Sequence, residues 1–435
     1  MKLTCRRILP LLWAAALAML ALAGCAPAQQ QPAQTPTVET AEAAAPETTP
    51  AAEVPDFRFV PLGMSGAATG DGFYEVVYAR DAASGAGNLV YTDFASRRRV
   101  YLSADPASDH QSTADTSYLT SLSGGHLVAA DGQHLYFARL GMTGVRQYTA
   151  DTRPVLLRMA ADGSGRQSVR LPDGYRFVSS GGLLTDGERE VLLVTAASED
   201  GAATLLAEPD FAAGTLTILA DLKEAGIPAG ALSLQGWRDG RLLLFGWQDA
   251  DDGIVQVLYT YDWRSGKAEP AGSFPADTAA LAFDRGQVWY CDTAADALYT
   301  YDWLSRTEEC VLSPVRPEGA PEVKVTLSGC PAPGLLRFSA AGPAGTAQTW
   351  YWDRQAGRWF PLQLDQGDKP VTLEARTDGG YLLHMGSREV TYQDTTPAGE
   401  SYTNTMQVPC YAMIASQDLW EGRADLIEIR DEVYG

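Results

Sequence analysis

The chain has 435 residues, with 54 acidic against 33 basic side chains and a formal net charge of −21. A body this acidic repels nucleic acid and anionic lipid headgroups, and it attracts cations or basic partners. The length is ample for an apolar core without covalent staples, and four histidines (His110, His126, His134 and His384) lie at no metal-ligand spacing.

Residues 1–24 read as an export leader. Lys2, Arg6 and Arg7 precede an apolar run from Ile8 to Ala23. That run is short for a membrane span, which takes ~20 apolar residues, and a basic start with small residues at the end is the export pattern. The leader closes on Leu22-Ala23-Gly24-Cys25, which resembles the lipobox of bacterial lipoproteins. The resemblance implies cleavage before Cys25 and a diacylglyceryl group on its thiol, with palmitate-type acylation. Each buried methylene contributes ~0.8 kcal/mol, so several chains hold firmly. Losing Lys2, Arg6 and Arg7 takes the charge from −21 to −24. The expected location is the extracytoplasmic face of the cell membrane. Ala26 in place of Asp implies the outer membrane where the cell has two.

Residues 25–54 combine the lipidated cysteine with a linker of Ala, Gln, Thr, Pro and Glu. Such a stretch buries too little apolar surface to offset ordering, so disorder is expected. Its prolines favour extension at ~3.1 Å per residue, which suits a spacer.

Residues 55–435 show short apolar or alternating runs between Gly, Asp, Pro and Ser, the pattern of an all-β domain. Two turns recur along it. The first is Asp-Gly or a near equivalent, at Asp71-Gly72, Asp131-Gly132, Asp186-Gly187, Asp239-Gly240, Arg285-Gly286, Pro333-Gly334 and Asp378-Gly379. Tight hairpins force positive φ there, which glycine tolerates. The second begins with an Asp whose carboxylate takes backbone N–H groups two residues on, at Asp93, Asp162, Asp210, Asp262, Asp302, Asp353 and, as the weakest copy, Asp418. The last one could instead open a short helical turn. Leu258–Trp263 recurs verbatim as Leu298–Trp303. The two turns alternate seven times, so each cycle holds two hairpins, or four antiparallel strands. Four-stranded repeats of ~40–50 residues are propeller blades. A seven-bladed β-propeller is predicted.

Lipobox, Pro/Thr linker and Asp-turn blades together resemble the propeller lipoproteins of Gram-positive gut bacteria, with low-density-lipoprotein-receptor-like or TolB-like propeller domains. Relatives carry a Cys-rich stretch after the first blade, whereas Ser103–Ser117 has none, and Ile414–Trp420 fits their terminal segment only loosely. The resemblance implies no activity for individual residues. Four cysteines remain after export, Cys291, Cys310, Cys330 and Cys410. Their spacing matches no zinc site. Export permits disulfides, but for most of the four a buried free thiol is expected. Asp249-Ala-Asp-Asp-Gly253 lacks the twelfth-position Glu of a calcium loop and reads as a solvated connection. The tryptophans at turns read as packing between blades.

Strand order separates the two faces. The tight turns share one face, and the connections between second and third strands, and between blades, share the other. The longest segments fall on that other face and come from blades 7, 1 and 2, neighbours when the ring closes. They are Ser103–Ser117, Leu140–Arg153 and Ser387–Pro409. Long loops on a rigid scaffold carry binding. The candidate ligand residues are Asp105, Asp109, His110 and Asp115; Arg146, Tyr148, Asp151 and Arg153; and Tyr392, Asp394, Tyr402 and Asn404. Arg388–Asp394 and Tyr402–Cys410 could alternatively extend a blade hairpin. No Ser/His/Asp order, metal cluster or cofactor fingerprint stands out.

The predicted function is a monomeric, lipid-anchored, non-catalytic module binding an extracellular polysaccharide, peptide or protein, without cofactor, metal or nucleic acid. Two alternatives are a propeller hydrolase or lyase acting on extracellular glycans, and an envelope-assembly scaffold. Fold does not choose among them.

Overall fold

The computed structural model describes residues 54–434, apart from 80–84, 106, 143–146, 199–200, 229, 252, 342–346, 363, 365–370 and 396–398. Cys25, the leader and nearly all of the linker lie outside the described residues. Seven antiparallel sheets follow one another along the chain and form a seven-bladed propeller. Blade 1 comprises Ala67–Ala68, Gly72–Tyr78, Gly87–Asp93 and Arg98–Tyr101. Blade 2 comprises His126–Ala130, His134–Arg139, Val155–Ala160 and Gln167–Arg170. Blade 3 has Gly182–Thr185, Glu190–Ser198, Gly201–Asp210 and Thr215–Asp221. Blades 4 and 5 run Leu232–Arg238, Arg241–Ala250, Gly253–Asp262 and Lys267–Pro275, then Ala279–Asp284, Gln287–Asp292, Ala297–Asp302 and Thr307–Leu312. Blade 6 runs Val325–Ala332, Leu335–Ala341, Ala347–Asp353 and Arg358–Pro361. Blade 7 runs Thr372–Thr377, Gly380–Thr395, Ser401–Ala415 and Ile427–Glu428.

Both turn series close the hairpins as their chemistry dictates. Asp262 Oδ1 accepts the backbone N–H groups of Arg264 at 3.1 Å and Ser265 at 2.9 Å, and Asp302 repeats this with Leu304 and Ser305 at 2.9 and 3.0 Å. In several copies the residue after the Asp points inward. Phe94, Phe211 and Trp303 are buried, and the Trp303 indole N–H donates to the Gly286 carbonyl at 2.8 Å. A guanidinium from the preceding blade covers several of these rings. Arg158 lies 4.5 Å from the Phe211 centroid and Arg238 4.9 Å from that of Trp303; in the seventh copy Arg358 lies 5.5 Å from that of Trp420, two residues after the Asp. Each such contact adds roughly 0.5–1 kcal/mol beyond the burial of the ring itself. The seventh copy takes its alternative form, a helical turn at Ser416–Trp420.

Two features were not legible from the turns. Residues Arg58–Pro61 form a strand before the first blade and add to the inner edge of blade 3, antiparallel to Gly182–Thr185. Phe57 then packs edge-on against Trp237 and Trp263 of blade 4, at 5.2 and 5.4 Å between centroids. Further along, Gly63 bridges Val128, on the inner strand of blade 2. The segment thus runs along the inner edges of blades 4, 3 and 2 before blade 1 begins. Gly182 allows it to sit there, because a Cβ at that position would stand 2.3 Å from the Val60 carbonyl oxygen. A residual axial cavity of about 310 Å³ remains beside it, bounded by Phe59, Phe283 and Cys330 among others.

The second feature is ring closure. Every blade is built from strands consecutive in sequence, so no blade is completed from the opposite terminus. Instead the chain leaves Ile427–Glu428 on blade 7 and, after Ile429 alone, runs parallel to the outer strand of blade 1 as Arg430–Asp431. Arg99 is buried at this seam and bonds Glu75 at 2.8 Å and Asp431 at 3.1 Å. Ile429, Phe73 and Tyr411 form one apolar cluster across it, and Val77, Val90, Val408, Val433 and Tyr434 form another.

The four cysteines are free thiols, as expected, but burial holds only for Cys291; Cys310 is exposed and the other two are half-buried. Burial pushes the Cys330 thiol up to about 12, with the nearby Asp284 charge adding to it. Asp249-Ala-Asp-Asp-Gly253 closes a hairpin in which Ala250 pairs with Gly253.

Candidate functional site

The blade 1–blade 2 connection is held by one buried carboxylate. Asp115 accepts the Ser103 hydroxyl at 2.6 Å, the Ser117 hydroxyl at 2.5 Å, the Ser117 backbone N–H at 2.7 Å and bonds His110 Nδ1 at 2.9 Å. Burial alone would raise this carboxyl; the donors from Ser103 and Ser117 outweigh it and hold the group well below the usual carboxylate range. His110 sits at φ +59 and stacks on Tyr101 with ring centroids 4.0 Å apart. Asn88 donates to the His110 carbonyl at 2.8 Å and to the Ser117 hydroxyl at 3.0 Å.

Serine, histidine and aspartate therefore do meet here, although the sequence order showed no such arrangement. Their connectivity differs from that of a nucleophilic relay. A relay needs the hydroxyl on the imidazole so that the ring can take its proton. Both hydroxyls here donate to the carboxylate, so Asp115 acts as the hub of the loop. Asp105 and Asp109 cap local turns, accepting the backbone N–H groups of Ala107 at 2.9 Å and Gln111 at 3.0 Å.

In Leu140–Arg153, Arg146 lies outside the described residues. Tyr148 is buried, its hydroxyl donating to the Tyr175 carbonyl at 3.2 Å. Arg153 pairs with Asp173 at 2.9 Å, donates to the Leu171 carbonyl at 2.8 Å and lies over the Tyr148 ring at 5.6 Å. These two residues fasten the loop to the blade 2–blade 3 connection. Ser121 reaches across from the other connection to the Asp151 carbonyl at 3.0 Å. Asp151 faces a cavity of about 410 Å³ between blade 2 and the blade 1–blade 2 connection.

The third segment is a ribbon rather than a loop. After an irregularity between His384 and Ser387, the strands continue paired through Arg388–Val408, Tyr392–Asn404 and Asp394–Tyr402 to Thr395–Ser401. The hairpin-extension alternative is the one observed. Asn404 donates to the Tyr392 hydroxyl at 2.9 Å, Gln393 to that of Thr403 at 2.9 Å, and Tyr402 is 40% exposed. Val390, Met406 and Val408 pack on Val77 and Val90 of blade 1, with Tyr101 against the same cluster.

Tyr101 thus touches the ribbon cluster on one side and His110 on the other, while Ser121 joins the first connection to the second. Contacts therefore run from the blade 7 ribbon through Tyr101 to the blade 1–blade 2 connection, and from there to the Leu140–Arg153 loop of blade 2. Residues not singled out from sequence also line its cavity, notably Arg139, Arg166 and Arg170. Their signal was the alternation Arg166-x-Ser168-x-Arg170, which places three side chains on one side of an edge strand.

The axial cavity offers two carboxylates, each already engaged. Asp284 accepts the Gly334 backbone N–H at 2.9 Å, and Glu374 accepts the Thr372 hydroxyl at 2.6 Å. Among the described residues, no group of three or more His, Cys, Asp and Glu is placed to hold a metal ion.

No family model matches the chain, and no curated protein does either. Solved structures give distant likenesses. TolB from Acinetobacter baumannii is 13% identical, with 83% of this chain and 79% of that one covered and a TM-score of 0.31. The β-propeller domain of the Trilobed protease from Pyrococcus furiosus is 10% identical, over 70% of this chain and 94% of that one, with a TM-score of 0.35. Pyrococcus horikoshii acylaminoacyl peptidase is 10% identical at a TM-score of 0.42; 82% of this chain is covered, but only 58% of that one.

Proposed function

We propose that this protein is a non-catalytic propeller that binds an extracellular polysaccharide, peptide or protein on the face shared by blades 7, 1 and 2. A lipid on Cys25 holds it at the outer side of a membrane, with residues 26–54 as the spacer. The observation that carries the binding assignment is the position of Tyr101, wedged between the ribbon cluster and His110. It ties the blade 7 ribbon to the blade 1–blade 2 connection, which Ser121 in turn ties to the Leu140–Arg153 loop. Tyr, short amides and hydroxyls on a braced scaffold suit adaptable polar contact. The Asp115-centred wiring and the engaged axial carboxylates supply neither a proton relay nor a free acid pair, and so favour binding over hydrolysis.

The test is a glycan and peptide array probed with the full chain in non-ionic detergent, beside the double variant Gln393→Ala, Tyr402→Ala. The reading expects array ligands whose retention falls in the variant. Cleavage products released from a retained ligand would overturn the non-catalytic part.

A further inference from the structure

Two arginines are buried among the described residues, Arg99 and Arg139. They are treated differently. Arg99 has two carboxylates, Glu75 and Asp431. Arg139, 5% exposed, forms no ion pair among the described residues and donates only to neutral carbonyls, those of Arg153 at 2.9 Å and Ala150 at 2.6 Å. A buried cation without a counter-charge is costly, so proteins pair or neutralise it. Burial pushes the Arg139 guanidinium below its ordinary value, the nearby Asp151 charge opposes that, and Arg170 reinforces it.

Arg139 does not stand alone. Arg166 lines the same cavity and donates to the carbonyls of Tyr118 and Thr116, again without a carboxylate partner, and its buried Nε has no hydrogen-bond partner. The Arg170 side chain is exposed at the rim and forms no hydrogen bond or ion pair among the described residues. Among the described residues Asp151 is the one carboxylate lining the cavity, and it is ion-paired with none of the three. Three unpaired guanidiniums around about 410 Å³ are an anomaly in a chain with 54 acidic side chains.

We propose that the cavity between blade 2 and the blade 1–blade 2 connection binds one carboxylate-bearing sugar, a hexuronate unit, through Arg139, Arg166 and Arg170. This rests on the reading of the 7-1-2 face as a binding surface and names the chemistry of one part of it. A guanidinium matches a carboxylate with parallel N–H donors. The Ser168 and Thr113 hydroxyls can meet ring hydroxyls, and the Phe137 and Leu157 side chains offer an apolar wall for the ring. A densely charged polyanion is repelled by the acidic body. A lone carboxylate on a largely neutral glycan escapes most of that repulsion.

The test titrates the full chain in non-ionic detergent with methyl glucuronide, methyl glucoside and N-acetylglycine at fixed ionic strength. The wild type and Arg170→Gln are followed by NMR line broadening of the probe. The Arg170 side chain is exposed and bonds no backbone group, so its replacement leaves the fold in place. The glucuronide should bind at least about tenfold tighter than the glucoside, and Arg170→Gln should remove about that factor, the worth of one charged hydrogen bond. Equal affinity for glucuronide and glucoside overturns the proposal. So does equal binding to wild type and variant, or tighter binding of N-acetylglycine than of the glucuronide. Array ligands retained through the ribbon but indifferent to Arg170→Gln would sink this proposal and leave the binding face standing. Glucuronide binding with no array ligand at all would do the reverse.

Discussion

The Tyr411 hydroxyl, on blade 7, donates to Glu75 Oε2, on blade 1, at 2.9 Å, while Glu75 Oε1 accepts from Arg99 at 2.8 Å. All three side chains are buried, and they lie on opposite sides of the seam that closes the ring. Because no strand from one terminus completes a blade at the other, this network and the short parallel strand Arg430–Asp431 take over that role.

Closure therefore depends on Glu75 out of proportion to its size. Glu75→Ala leaves Arg99 with Asp431 as its one remaining carboxylate partner and Tyr411 without an acceptor. Removing one partner of a buried pair costs about 3–5 kcal/mol. Tyr411→Phe, which removes one hydrogen bond to a charged group, costs about 1.5–3 kcal/mol. Urea denaturation of the two variants checks the order, and a Glu75→Ala cost below that of Tyr411→Phe would contradict this account of the seam.

The N-terminal strand makes its own demand. Gly182→Ala places a methyl group 2.3 Å from the Val60 carbonyl oxygen, so either Arg58–Pro61 or the inner strand of blade 3 must move. Overpacking of this kind costs about 1–3 kcal/mol. Hydrogen exchange should rise first at Phe59 and Leu184, whose backbones pair in the register. Unchanged protection there would show that the strand does not pack as described.

Asp115 links loop order to pH. Against burial, which would raise it, the hydrogen bonds from Ser103 and Ser117 depress its folded-state pKa, so the unfolded chain takes up the proton first as pH falls. The contribution of this carboxylate is complete above its unfolded value of ~4 and is lost progressively as pH falls toward the lower folded value. Asp115→Asn should lower the melting temperature at pH 7, and the gap between variant and wild type should narrow as pH falls from 5 toward 2. A gap that widens on acidification would contradict the hydrogen-bond assignment.

Much of the fold was written in turn chemistry, since Asp carboxylates and positive-φ glycines act over three or four residues and leave a local imprint. The ribbon was readable only as an alternative, because Arg388–Asp394 has the alternation of a strand but nothing local says where its partner lies. Ring closure and the N-terminal strand depend on contacts between residues hundreds of positions apart, such as Arg99 with Asp431. No periodicity records those. Among the candidate residues, polarity was a sound guide to surface loops but not to availability. Tyr148 and Asp115 are polar because they fasten their loops, and the arginines of the cavity went unnoticed because two of them lie on or beside an ordinary edge strand.

The central claim is that the ribbon of blade 7 and the connections of blades 1 and 2 form one binding surface. The most direct measurement replaces residues 391–405 with an Asn-Gly turn between Val390 and Met406, which are paired in the register and pack on blade 1. Affinity for the strongest array ligand is then compared with that of the intact chain. The account predicts a loss of at least about tenfold with an unchanged melting temperature. Undiminished affinity in the shortened, folded protein would contradict it.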